Sequence, residues 1–136
     1  MQITTLEPGN ARQHEALAQR AAAVLRSGGL VVFPTETVYG VAASALSDEG
    51  VDKLRRLKQS DAGRAFTVHI PEPQDISRFA ELSIGGARRL ADKAMPGPIT
   101  LLVEVSADVR SQSLKGLGLT DAHTDRRYHD GVVGLR

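Results

Sequence analysis

Thr35, Glu36, Thr37 and Tyr39 put two hydroxyls, a carboxylate and a phenol within five residues, directly after the apolar run Leu30-Val31-Val32-Phe33-Pro34 and before Gly40. Open α/β sheets bind ligands at the carboxyl ends of their strands, and this block is placed to do so. Thr35 is a candidate ligand contact, and Thr37 and Tyr39 are candidate pocket residues beside it. The same block also suits a strand-to-helix turn in which the threonine hydroxyls satisfy backbone groups.

A second group is basic: Lys53, Arg55, Arg56, Lys58 and Arg64. A solvated helix face accounts for Lys53, Arg55 and Arg56. Lys58 falls at a helix end, where a cation offsets the macrodipole. Arg64 is harder to assign to a surface role, because Ser60-Asp61-Ala62-Gly63 reads as a loop leading into an apolar strand. Two cations flanking such a loop are what a triphosphate needs. There is no Walker A sequence, so this is not a P-loop arrangement.

His69 lies between Val68 and Ile70, where a hydrogen-bonded core histidine is the ordinary reading. His14, His123 and His129 have no metal-ligand spacing, nor do Asp121 and Asp125 near them, so no protein metal site is expected. Met95-Pro96-Gly97-Pro98-Ile99-Thr100 is a rigid turn that either separates a helix from a strand or walls a pocket, with Thr100 offering a hydroxyl at its edge. No residue stands out as a general acid, base or nucleophile.

These residues need elements to hold them. Apolar side chains recur at helical spacing from Ala11 to Ser27, after an Asn10 cap and before the Gly28-Gly29 stop. Residues 2–5 suit an edge strand, and Leu30–Phe33 a fully buried central strand. A helix opens at Ser47, with Val51, Leu54 and Leu57 on its core side. Phe66–Ile70 and Ile99–Val105 read as strands, with helical stretches over 75–82 and 83–94 between them. Residues 115–131 are rich in Gly, Asp, His and Arg, and predict a long mobile loop before a last strand at Val132–Leu135. The alternation predicts one α/β (α+β) domain over 1–136.

Composition bounds the chemistry. At 136 residues, with 41% hydrophobic and 24% charged residues, the chain can build a core. Without cysteine there are no disulfides, thiolate metal sites or thiol nucleophile. Aromatics at 4% exclude a base-stacking platform, and a net charge of +1 excludes a global field for nucleic acid. No membrane-length apolar run and no signal-peptide core are present, which points to the cytoplasm.

Taken together, Gly28-Gly29-Leu30-Val31-Val32-Phe33-Pro34-Thr35-Glu36-Thr37-Val38-Tyr39-Gly40, Leu57-Lys58 with Phe66-Thr67-Val68-His69-Ile70, Pro96-Gly97-Pro98-Ile99-Thr100-Leu101 and Val133-Gly134-Leu135-Arg136 resemble the YrdC-like family of threonylcarbamoyl-AMP synthases. Order and spacing fit from residue 11 onward. The resemblance implies a twisted mixed sheet with flanking helices around a positively charged cavity. It implies condensation of L-threonine, bicarbonate and ATP, with Mg2+ accompanying the nucleotide, into threonylcarbamoyl-AMP and pyrophosphate. The product would feed transfer-RNA threonylcarbamoyladenosine modification through downstream tRNA-modification enzymes. Carried over by position, Thr35, His69 and Arg136 would bind threonine, and Lys58, Arg64 and Thr100 would bind ATP.

Three departures bear on this expectation. Ser60 stands where the family has an Arg, and a lost charge-assisted bond to a polyphosphate costs about 1.5–3 kcal/mol. Met95 replaces a family Trp. Family domains continue past their final Arg into a Ser-x-Asn-x-x-Gly-like motif, so the resemblance implies a domain incomplete at its C-terminus, with little turnover from these residues alone. The competing reading is a non-catalytic nucleotide- or RNA-binding module, meeting tRNA or double-stranded RNA through the basic surface.

Overall fold

Asn10 opens the first helix as the sequence predicts, its side-chain oxygen accepting a hydrogen bond from the Gln13 amide at 3.1 Å. In the computed structural model, which describes residues 2–5, 9–59, 65–82, 85–120, 124 and 126–136, this helix (α1) spans Ala11–Arg26. Leu17, Ala21 and Leu25 form its half-buried stripe, while Val24 stays largely exposed. The helix stops at Gly28, whose φ of +73° few other residues tolerate, and the Gly29 amide returns to the Val24 carbonyl at 2.9 Å. Residues 2–5 are irregular and do not form the expected edge strand.

The chain falls into two compact units, Met1–Lys58 and Gln59–Arg136. In the first, Val31–Phe33 (β1) pairs antiparallel with Gly40–Ala42 (β2), with Val32 opposite Val41 and Phe33 opposite Gly40. This corrects two expectations. The segment after Pro34 is not wholly loop, since it returns as β2. The Leu30–Phe33 run is not a fully buried central strand either: Val32 is 60% exposed, because strand alternation turns it away from Val31 and Phe33.

Asp48–Lys58 (α2) follows, its first turn closed by the Ser47 hydroxyl accepting from the Gly50 amide at 3.1 Å. Val51 and Leu54 are buried as expected, but Leu57 is 58% exposed. The geometry explains the difference. Two steps of three residues rotate a side chain about 120° around the helix axis, which carries Leu57 off the buried side.

In the second unit, residues 73–78 form a 3-10 turn where the sequence suggests a helical stretch. Gly85–Ala94 (α3) leads through the Pro96-Gly97-Pro98 turn into Leu101–Glu104 (β3). Ala107–Gly116 (α4) is a helix the sequence analysis does not anticipate, capped by Ser106 and anchored by the fully buried Leu114. Val132–Leu135 (β4) forms where predicted and pairs antiparallel with β3, Leu101 opposite Leu135 and Leu102 opposite Gly134.

The 66–70 segment joins β4 on its other side by a single parallel bridge, Val68 to Leu135, rather than as a full strand. Parallel and antiparallel pairing on one strand makes this a mixed sheet, with helices flanking it in the chain. The 115–131 stretch differs from the loop expected there. It begins inside α4, and its Arg127 and Tyr128 are only 1% and 2% exposed; residues 121–123 and 125 lie outside the described residues.

The core of the second unit is mostly aliphatic, built on Val68, Ile76, Ala91, Met95, Leu114, Val133 and Leu135 together with Phe79. Tyr128 ties it together: its hydroxyl donates to the Phe79 carbonyl at 2.9 Å and lies 3.0 Å from Ser113 Oγ, which donates to the Arg78 carbonyl. Burial pushes the Tyr128 phenol above its usual pKa, against the opposing pull of the Ser113 hydrogen bond and the nearby Arg110 and Arg127 charges.

Candidate functional site

β4 presents Val133 and Leu135 to the core, both fully buried, so alternation sends Gly134 and Arg136 to the opposite face. Val68 faces the core on the neighbouring segment, which places Thr67 and His69 on the same open face. On β3, Leu102 pairs with Gly134 and is 76% exposed. One open sheet face therefore carries Thr67, His69, Gly134, Arg136, Thr100 and Leu102.

The geometry around Gly134 supports this grouping directly. A methyl group built on Gly134 would lie 3.5 Å from Leu102 Cδ2, 3.5 Å from Thr67 Oγ1 and 3.6 Å from Thr100 Cγ2. Arg136 is fixed through its backbone: its amide donates to the Val68 carbonyl at 2.9 Å, and its carbonyl accepts from the Ile70 amide at 2.9 Å. Those two bonds bracket His69, so Arg136 and His69 are direct neighbours across the pairing. Thr100 occupies the next antiparallel position beyond Leu101 and Leu135, which sets it beside Arg136 on the other side.

Three residues singled out from the sequence, His69, Thr100 and Arg136, are thus brought to one face. His69 is exposed there, not enclosed as a core histidine would be. Thr67, Gly134 and Leu102 belong to the same face and are absent from the sequence-based set. Period-two alternation about Val68 and about Leu135 is the signal that could have found Thr67 and Gly134.

The first unit carries the other candidates. The Thr35 hydroxyl donates to the Val38 carbonyl at 2.6 Å and accepts from the Thr37 amide at 3.2 Å, and the two threonine hydroxyls are 3.4 Å apart. Thr35 and Thr37 therefore brace their own loop, the backbone-satisfying role the sequence left open. Tyr39 projects from that loop and is exposed. Lys58 closes α2 and is also exposed. Arg64 and Ser60 lie outside the described residues.

The basic run is not uniformly turned to water, as a solvated face would be. Lys53 Nζ donates to the Gly28 carbonyl at 2.9 Å and meets Glu49 Oε1 at 2.7 Å. It fastens α2 to the turn that ends α1. The Lys53 hydrogen bond, and then its charge, hold the Glu49 carboxyl below its usual pKa. Among the described residues no cluster of His, Cys, Asp or Glu could hold a metal ion, and no helix is long and apolar enough to cross a membrane. A cleft of about 230 Å³ beside α4, lined by Arg78, Glu81, Gln112 and Ser113 among others, contains none of the candidate residues.

The fold is mixed α/β, and its second-unit sheet exposes a face with an arginine and a histidine side by side. The Sua5_yciO_yrdC family model, described as "Telomere recombination", matches residues 23–120, and the chain belongs to this family. It is similar to a threonylcarbamoyl-AMP synthase of Pyrococcus abyssi, 37% identical over 86 residues that cover 63% of this chain and 25% of that protein. A mouse threonylcarbamoyl-AMP synthase (Mus musculus) is 32% identical over 107 residues, covering 79% of this chain and 37% of that protein. The crystal structure of P. abyssi Sua5 complexed with L-threonine matches with a TM-score of 0.64 at 30% identity, over 90% of this chain and 32% of that one. The chain spans 25% and 37% of the length of these two curated relatives.

Proposed function

We propose that the open face binds L-threonine and that the chain serves L-threonylcarbamoyladenylate synthesis. The observation that carries this is the placement of Arg136 beside His69, with Thr100 on the opposite flank. A free amino acid presents a carboxylate, and a guanidinium carried on a paired strand is suited to hold it through two parallel hydrogen bonds. Family membership and the threonine-bound relative support the same ligand.

On this reading Arg136 takes the threonine carboxylate and His69 faces the amino acid, while a role for Thr35 toward threonine is only what the family resemblance implies. The family resemblance likewise implies Lys58 and Arg64 for the phosphates of ATP and Thr100 for a hydroxyl contact to it. Magnesium accompanying the nucleotide would supply neutralisation of its phosphate charge. The threonine nitrogen forms a bond to the bicarbonate carbon with loss of water, and the new carbamate oxygen takes the α-phosphorus as pyrophosphate leaves. The product would supply threonylcarbamoyl groups for transfer-RNA modification.

Titration calorimetry tests the reading. The wild-type chain is expected to bind L-threonine, and Arg136→Ala to weaken that binding at least tenfold while keeping its circular dichroism spectrum. Equal affinity in the two proteins would remove Arg136 from the site, and no binding by a folded wild-type chain would overturn the assignment.

A further inference from the structure

The backbone of β3 has only one side in use. The Val105 amide donates to the Gly131 carbonyl at 2.7 Å, and the register sets Val103 opposite Val133 and Leu101 opposite Leu135. Bonded pairs alternate with non-bonded ones along an antiparallel ladder, so Leu102 and Glu104 aim their N–H and C=O groups away from β4. Among the described residues no strand takes those groups up, and β3 is an open edge. Sheets usually blunt such an edge with proline, lysine, a bulge or a covering element. On the other side of β4 the 66–70 segment runs straight into Pro71 and Pro73. Leu101-Leu102-Val103-Glu104 has no proline, no lysine and no bulge in its register, and Leu102 is 76% exposed.

We infer that β3 is a docking edge for a second copy of this chain, the two β3 strands pairing antiparallel about a twofold axis. A twofold contact must be complementary to itself, and this edge is. Only residues whose backbone groups point outward can form the bonded pairs. Centring the pairing on Leu102 sets it against Leu102 of the second copy, so that two exposed apolar side chains cover each other. The same register sets Glu104 against Thr100 of the second copy. A register that opposes the two Glu104 carboxylates is disfavoured by like charge. The contact therefore joins apolar to apolar and keeps the charges apart. It also brings a carboxylate of one copy beside Thr100 on the open face of the other. The edge of a four-residue strand buries less than the roughly 1,200 Å² of a stable interface, so the dimer is a weak, exchanging one.

Sedimentation velocity on the full chain, in a concentration series up to millimolar, tests this. Wild type is expected to shift from monomer toward dimer as concentration rises. Leu102→Pro removes an N–H that faces the edge and leaves the β4 ladder intact. It is expected to stay monomeric with the circular dichroism spectrum of wild type. The cysteine-free sequence offers a second test that does not depend on the proline variant. Bonded antiparallel pairs hold their Cα atoms about 5.5 Å apart, inside the roughly 4.4–6.8 Å span of a disulfide. Leu102→Cys is therefore expected to cross-link into a covalent dimer under mild oxidation at least tenfold faster than Val32→Cys, whose site in the first unit is also exposed, at 60%. A wild type that remains monomeric throughout, a dimer that persists undiminished in folded Leu102→Pro, or equal cross-linking of the two cysteine variants would each overturn the docking edge.

Discussion

Arg136 and His69 stand side by side because the Arg136 amide and carbonyl reach the residues on either side of His69, Val68 and Ile70, at 2.9 Å each. The point from which the Arg136 side chain departs is therefore set by strand pairing rather than by a loop. Arg136→Lys keeps the charge and the pairing but replaces a planar fork by a point charge. Threonine affinity is expected to fall about tenfold with stability unchanged, the cost of losing one of two charge-assisted hydrogen bonds at about 1.5 kcal/mol. Calorimetry paired with thermal melting checks this, and full affinity in the lysine variant would show that bidentate geometry is irrelevant.

The Tyr128 hydroxyl is the buried link between the Phe79 carbonyl and Ser113. Tyr128→Phe preserves the ring and removes the donor, leaving a carbonyl short of a partner. Stability is expected to drop by about 1–2 kcal/mol, measured by urea denaturation with an unchanged slope. A variant as stable as wild type would mean that water replaces the hydroxyl at no cost.

Lys53 joins Glu49 to the Gly28 carbonyl, and Glu49 titrates below its usual value of 4.5 chiefly through that lysine's hydrogen bond. A carboxyl with a lowered folded-state pKa stabilises above its unfolded pKa, and the contribution fades as pH falls through the folded value. Glu49→Gln is thus expected to melt lower than wild type at pH 7, with the two melting temperatures converging as pH falls below 4.5. Lys53→Met, which also loses the Gly28 hydrogen bond, is expected to cost about 0.5–1 kcal/mol at neutral pH. A Glu49→Gln deficit that persists undiminished in acid would point to packing rather than charge.

Engagement of Lys53 leaves the basic run of α2 with fewer cations to offer phosphates. Any RNA binding through this helix is expected to be weak at low salt and lost by about 0.2 M, since phosphate contacts release counterions and few aromatics are present to stack bases. Gel-shift titrations at two salt concentrations test it. Tight binding that ignores salt would contradict a phosphate-only surface.

Legibility from sequence followed how local each signal is. The α1 boundaries, the Val132–Leu135 strand and the buried pair Val51 and Leu54 rest on short-range periodicity and caps, and were readable. The return of β2 depends on a pairing partner that periodicity does not name. α4 escaped notice because its apolar residues do not gather on one side, and its anchor, Leu114, is a single buried position. For the site, the motifs supplied His69, Thr100 and Arg136, whereas Thr67 and Gly134 emerged only once the register of β4 against its two neighbours was known.

That register has a consequence for how the face comes into being. Val68 and Leu135 are separated by about half the chain, and Leu102 reaches Gly134 only across α4. Closing such long loops is entropically slow, so this sheet is expected to belong to the late, high-contact-order part of folding, whereas the β1–β2 hairpin forms from near neighbours. During synthesis, His69 and Thr67 emerge from the ribosome well before the strand that completes their face. The candidate face is then assembled only after β4 is made, and any ligand that binds it would favour its closure by mass action.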